Sequence, residues 1–121
     1  MLRLRLSAAA QADIVEILAW SEDQFGESAR LRYEALIAAA LRDIAEQPDR
    51  TGSIARPELG ASVRSWHLRS SRDRARTDLG AVRRPRHFVI YRVESDLLIV
   101  GRVLHDAMEL VRYLDPAASW E

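Results

Sequence analysis

Apolar residues recur along this chain with two different periods, and the change of period divides it into elements. At the start Leu2, Leu4 and Leu6 alternate with Arg3 and Arg5, a period of two that predicts a strand. Ser7 follows where a helix N-cap belongs, its hydroxyl placed to accept from a free amide of the first turn. Ile14, Ile17 and Leu18 then step by three and four, which predicts a first helix ending near Asp23. Gly26 interrupts the pattern. Tyr33, Leu36, Ile37, Ala40, Leu41 and Ile44 resume it as far as Pro48, whose missing N–H stops a helix. The two segments are expected to form a helical hairpin.

The stretch "DRTGSIARPELGAS" (49–62) holds turn formers and no sustained period, so it is read as a loop. Strands are predicted at "VRSWHL" (63–68), "HFVIYRV" (87–93) and "LLIVGRVL" (97–104), which are rich in β-branched and aromatic residues. Only Glu94, Ser95 and Asp96 separate the last two, which makes them an antiparallel hairpin. Along the first of these, Phe88, Ile90 and Arg92 share one face while Val89, Tyr91 and Val93 share the other. The expected fold class is α+β: an N-terminal strand, a helical hairpin, a three-stranded antiparallel sheet that the first strand extends, and a short C-terminal segment. One sheet face packs on the hairpin. The other also carries apolar residues and is expected to need cover from a partner. Between strands, residues 69–86 with Pro85 are longer than an ordinary connection, and an extended or partly disordered basic protrusion is expected.

Composition sharpens this picture. A chain of 121 residues, 48% of them hydrophobic, suits a single domain over 1–121. The opening strand alternates where a signal peptide would run apolar, and no apolar stretch is long enough to span a bilayer. Cysteine is absent, which excludes disulfides and thiolate metal sites and fits a reducing cytoplasm. The formal net charge of zero hides a segregation, because all 18 basic residues are arginine. Residues 69–86 carry seven arginines against two aspartates, whereas residues 13–49 carry nine acids against three arginines. Fields of opposite sign on different parts of one molecule steer partners.

The stretch "GRVLHDAMEL" (101–110) sets His105 beside Asp106 at a strand end. One reading is chemical. Cleavage of RNA needs a base for the ribose hydroxyl, a proton donor and cations for the phosphate. His105, Tyr91 or Tyr113, and Arg64, Arg92, Arg102 or Arg112 are residues of those types. The other reading is structural, with Asp106 capping the amides of "AMEL" and His105 bonding a backbone carbonyl. Ser7, Ser62 and Ser119 lie in no nucleophile elbow. His67, His87 and His105 fall on three separate strands, so neither a metal nor a cofactor is expected. The arginine run suits phosphate or a solvated loop, and the exclusion of lysine also fits compositional bias.

The order of elements, with "LSAAAQADIVEILAWSEDQFG", the Tyr91–Arg92 pair and "RVLHDAMEL", resembles the ParE family of plasmid-stabilisation toxins, within the ParE/RelE superfamily of type II toxin–antitoxin systems. The resemblance runs from about residue 2 to residue 114. It implies a RelE/ParE-like α+β toxin, neutralised by a ParD-like antitoxin, that inhibits DNA gyrase by binding it and is not an enzyme. The alternative is a RelE-type ribosome-dependent mRNA endoribonuclease, for which His105, Arg92 and Tyr113 are the candidate catalytic set. Asp106 stands where that chemistry wants a second cation. Under the toxin reading, Arg102, His105, Met108, Arg112 and Tyr113 form the expected target-binding corner. Trp20, Tyr33, Trp66 and Tyr91 are the expected antitoxin anchors, since aromatics bring large area at low entropy cost. No membrane association is expected, nor sequence-specific nucleic-acid binding by the chain alone. Acidic segments of an antitoxin are suited to the basic stretch, which departs from the shortest family members.

Overall fold

A computed structural model describes residues 1–108 and 120–121. The elements in chain order are β1 (Arg3–Leu6), α1 (Ala8–Phe25), α2 (Glu27–Glu46), β2 (Ile54–Ala55), a short 3-10 turn (Pro57–Leu59), β3 (Arg64–His67), a 3-10 helix (Leu68–Ala75), β4 (His87–Glu94) and β5 (Leu97–His105). Ser7 is the N-cap of α1: its Oγ accepts from the Ala10 amide at 3.0 Å and donates to the Gly101 carbonyl at 2.7 Å. The cap thus starts the helix and ties it to β5. Helix α1 runs two residues past Asp23, to Phe25. Gly26, at φ +93°, then turns the chain directly into α2, a conformation that a side chain would strain. Its N–H donates to the Glu22 carbonyl at 2.8 Å, and its carbonyl accepts from the Arg30 amide at 3.2 Å.

The sheet has five strands in the order β1-β5-β4-β3-β2. This corrects the expected three-stranded antiparallel sheet in two respects. The first strand joins the edge in parallel, with Arg3 to Leu6 opposite Leu97 to Val100. A two-residue strand, Ile54–Ala55, also forms inside the expected loop and pairs antiparallel with β3. It was too short to show a period. Within the β4–β5 hairpin the register slips at Ile90/Tyr91, where Tyr91 faces Val100 and Ile90 faces Arg102. Gly101 is the extra residue, a β-bulge that shifts everything beyond it by one place.

Alternation along β4 sorts the core as the sequence implies. Val89 and Tyr91 pack with Leu98, Val100 and Trp66 under Ala10, Leu36, Ala40 and Ile44 of the helices. Each fully buried aliphatic side chain of this kind contributes about 1.5–3 kcal/mol. On the other face Phe88, Ile90 and Ile99 pack against Leu59, Val63, Leu97 and Trp120. That face was expected to await a partner. Instead the 3-10 turn after β2 and Trp120 bury it, because Pro57 and Gly60 fold the loop back over the sheet.

Residues 69–86 also depart from expectation. They begin as a 3-10 helix that packs on α2, with Leu68, Ser71 and Ala75 buried. The anchor is Asp43, a buried carboxylate of α2. It accepts from Ser71 Oγ at 2.6 Å and from Arg74 Nε at 2.8 Å, while Arg50 lies 3.4 Å away. Ser71 in turn accepts from the indole N–H of Trp66 at 2.9 Å. A buried charge is tolerated only when so paired. Part of the basic stretch is therefore neutralised within the molecule, and the chain is ordered by it. Further on, Thr77 and Gly80 exchange two main-chain bonds of 3.1 and 2.9 Å, closing a turn in an arginine-rich strap, residues 76–86.

Candidate functional site

The strand ends opposite the β4–β5 turn bring together residues from four elements. His87 begins β4 and His105 ends β5, and they face each other across the ladder with rings 5.3 Å apart at 85°. His67 ends β3, opposite Phe88. Tyr33 reaches over from α2, donating its hydroxyl proton to His87 Nδ1 at 2.6 Å while accepting from the Arg86 amide at 3.2 Å. Asp106 lies between Arg86 and His67. It accepts from the Arg86 guanidinium at 2.9–3.2 Å and from His67 Nε2 at 3.0 Å.

The electrostatics follow from these contacts. The Arg86 guanidinium, helped by His67, pulls the Asp106 carboxyl down to about 2. Burial, reinforced by neighbouring His105, pushes His87 down to about 4 and keeps it neutral. Burial also raises the Tyr33 phenol to about 12, so that it acts as a hydrogen-bonding group and not as an acid. Among the described residues no three His, Asp or Glu side chains are placed to hold a metal ion.

The His105–Asp106 corner differs from its structural reading in an instructive way. Asp106 was expected to cap the amides that follow. In the structure His105 takes that part: its Nδ1 accepts from the Ala107 amide at 3.1 Å and its carbonyl from the Met108 amide at 3.0 Å. Asp106 turns instead to Arg86 and His67, because a bidentate guanidinium outcompetes a backbone amide for a carboxylate.

Between this cluster and the helices lies an open cleft of about 1530 Å³. Trp20 and Phe25 of α1 form one wall. The strap with Leu79, Val82, Arg83 and Arg84 forms the other, and Tyr33, His87 and His105 lie at the back. Trp20 and Phe25 meet edge to face at 5.6 Å and are 57% and 68% exposed, unusual for such large apolar groups.

The structure separates the other sequence candidates. Trp66 is 1% exposed and is held by the chain's own core. Tyr91 is equally enclosed, its hydroxyl bonded to Pro48 O and Ser53 Oγ. Tyr33 is half-buried in the strand-end cluster, so Trp20 alone of the four aromatic candidates presents wide surface. Arg102 holds Asp13 of α1 through bonds of 2.7 and 2.9 Å. Met108 is exposed beside His105. Arg92 pairs with Glu94 at 2.6 Å and stacks on Trp120. It lies five places along β4 from His87, on the order of 16 Å at strand rise, so it and His105 are not brought together. Arg112 and Tyr113 lie outside the described residues.

Sequence reading missed His67, His87 and Arg86 as companions of His105, and Phe25 and Leu79 as cleft residues. The signal for His87 was the hairpin register counted with a one-residue bulge at Gly101; that for His67 was the pairing of β3 with β4.

In this small α+β domain helices, strand ends and a basic strap thus surround an open cleft whose strand-end polar groups are bonded to one another. The family described as "ParE toxin of type II toxin-antitoxin system, parDE" matches residues 4–110, and the chain belongs to that family. It is a ParE-type toxin of a type II toxin–antitoxin system. Among solved structures it is similar to a chain of the chromosomal ParDE system from P. aeruginosa, at 16% identity and a TM-score of 0.62, covering 87% of this chain and 96% of that one. It is also similar to a copper-bound mutant toxin from Helicobacter pylori, at 18% identity and a TM-score of 0.52, covering 88% and 97%. At such identities these likenesses concern the fold. No curated protein sequence matches. Among the described residues no helix is long and apolar enough to cross a membrane.

Proposed function

We propose that this ParE-type toxin acts in the cytoplasm by binding DNA gyrase without chemistry of its own, and that a ParD-like antitoxin neutralises it. The observation that supports this reading is the closure of the strand-end cluster. Asp106 is spent on Arg86 and His67, His105 Nδ1 on the Ala107 amide, and Tyr33 on His87. A general base needs a free lone pair aimed at a substrate proton, with a cation beside the phosphate. Here the lone pairs point inward. Met108 and the exposed part of His105 then form one corner suited to contact with a target.

A ribosome-dependent ribonuclease is the second reading, favoured by one fact: His87 and His105 lie at the back of an arginine-lined cleft. One experiment separates the two. Antitoxin-free protein is assayed in parallel for gyrase-dependent DNA cleavage and loss of supercoiling, and for transcript cleavage in a translation extract. Gyrase poisoning that survives His105→Ala within a few-fold is the expected result, since a rim residue is typically worth about 1 kcal/mol. Transcript cleavage that drops roughly 100-fold in the same variant would install the ribonuclease instead.

A further inference from the structure

The contacts that close the strand-end cluster also fix where its protons lie. A main-chain N–H can only donate, so the Arg69 amide at 3.1 Å from His67 Nδ1 and the Ala107 amide at 3.1 Å from His105 Nδ1 leave both nitrogens unprotonated. The Tyr33 hydroxyl does the same to His87 Nδ1. In all three rings the hydrogen therefore sits on Nε2. That of His67 is donated to Asp106 at 3.0 Å. Those of His87 and His105 meet no hydrogen-bond acceptor among the described residues, and both rings line the cleft. The charge there points the same way. Six arginines line the cleft against two carboxylates, Glu16 and Asp73. Arg76, Arg83 and Arg84 are exposed and have no carboxylate partner among the described residues. Donors and cations gathered without acceptors call for an anion from outside.

We infer that this cleft is a binding site for a nucleoside triphosphate, its phosphate chain on Arg83, Arg84 and the Nε2–H groups of His87 and His105, and its base on Trp20. This goes beyond the proposed function, since neither gyrase binding nor neutralisation calls for a small ligand. Phosphate fits better than carboxylate. Guanidinium forks match its oxygens two at a time, and a chain of three phosphates carries enough oxygens for both arginines and for two imidazoles whose rings stand 5.3 Å apart. The opposite wall suits a base. Trp20 is widely exposed, with Phe25 packed edge to face on it, so the pair offers one stacking platform and not the succession that single-stranded RNA uses. The volume of about 1530 Å³ exceeds the roughly 300–1,000 Å³ of ordinary small-molecule sites. A nucleotide therefore enters without any change of fold.

The test uses the full antitoxin-free chain, titrated calorimetrically with ATP, GTP, tripolyphosphate and an oligouridylate. Wild type is compared with the double variant Arg83→Gln, Arg84→Gln and with Trp20→Ala. All three positions are exposed, and thermal melting checks that the variants stay folded. At least one of the nucleotides should bind about 10-fold more tightly than tripolyphosphate. The arginine variant should lose about 100-fold for nucleotide and tripolyphosphate alike, whereas Trp20→Ala should lose about 10-fold for nucleotide alone. Nitrogen-15 spectra, which report histidine tautomers directly, should show Nε2 of His87 and His105 moving on titration while that of His67 stays in place. Tripolyphosphate bound as tightly as both nucleotides overturns the proposal and leaves a bare polyphosphate site. Oligouridylate bound more tightly than either nucleotide overturns it in favour of RNA. An absence of binding, binding that the arginine variant retains, or histidine signals that do not move would remove the site altogether.

Discussion

His105 stands directly across the hairpin from His87, rings 5.3 Å apart, because Gly101 occupies an extra place in β5. Were Gly101 paired with Ile90 in unbroken register, Leu104 would fill the position and the imidazole would turn to the other side of the sheet. The bulge therefore brings His105 and Asp106 to His67, His87 and Tyr33 at one end of the molecule, where the strap ends with Arg86.

Acid should weaken the domain through His87. Its folded value, about 4, lies below the ordinary 6.5, so the unfolded chain takes up a proton that the native state refuses. The stability this group confers is complete above about pH 6.5 and is lost as the pH falls toward 4. Melting temperatures of the wild type and His87→Gln, measured across that interval, should show a shallower decline in the variant. Parallel declines would place the acid sensitivity elsewhere.

Ser71 joins the indole of Trp66 to the carboxylate of Asp43. Ser71→Ala leaves both with a bond fewer in a dry environment, which should cost about 1–3 kcal/mol. Urea denaturation measures this. Amide exchange over residues 68–75 should quicken more than exchange in the sheet.

Trp20 and Trp66 should respond oppositely to truncation. Trp66→Ala empties a core site and is expected to cost about 3–5 kcal/mol. Trp20→Ala removes a largely exposed ring and should change stability by no more than about 0.5 kcal/mol. Comparable losses in both would mean that Trp20 is more deeply packed in solution than the structure has it.

Asp13 receives the Arg102 guanidinium and, at 2.9 Å, the Val103 amide. Asp13→Ala leaves that amide unsatisfied beyond the end of β1 and should destabilise the fold by about 2 kcal/mol. Asp13→Asn keeps an acceptor for the amide, and thermal melting should show it recovering part of the loss.

Long periodic elements were legible in the sequence, and so was the division of β4 into two faces. Both rest on local spacing, which for residues such as Ile14, Ile37 and Val89 says which neighbours share a face. What stayed hidden depended on partners distant in the chain. Ile54–Ala55 is a strand only because β3 lies beside it. Residues 68–75 are ordered because Asp43, far upstream, supplies a buried counter-charge that no period reveals. His67, His87 and His105 were visible singly, but their meeting turns on strand register, and for His105 on one bulge. Trp20 and Trp66 look alike in sequence and differ only in what the fold places over them.

The parallel pairing of β1 with β5 has a consequence for biosynthesis. Residues 3–6 are synthesised well before their partners at 97–100. Contacts so far apart in sequence form late. Until residue 100 has been made, the opening strand has no neighbour and Ser7 has no Gly101 carbonyl to hold. A polypeptide that stops before β5 keeps β4 as an open sheet edge and lacks Leu98, Val100 and Val103 from its core.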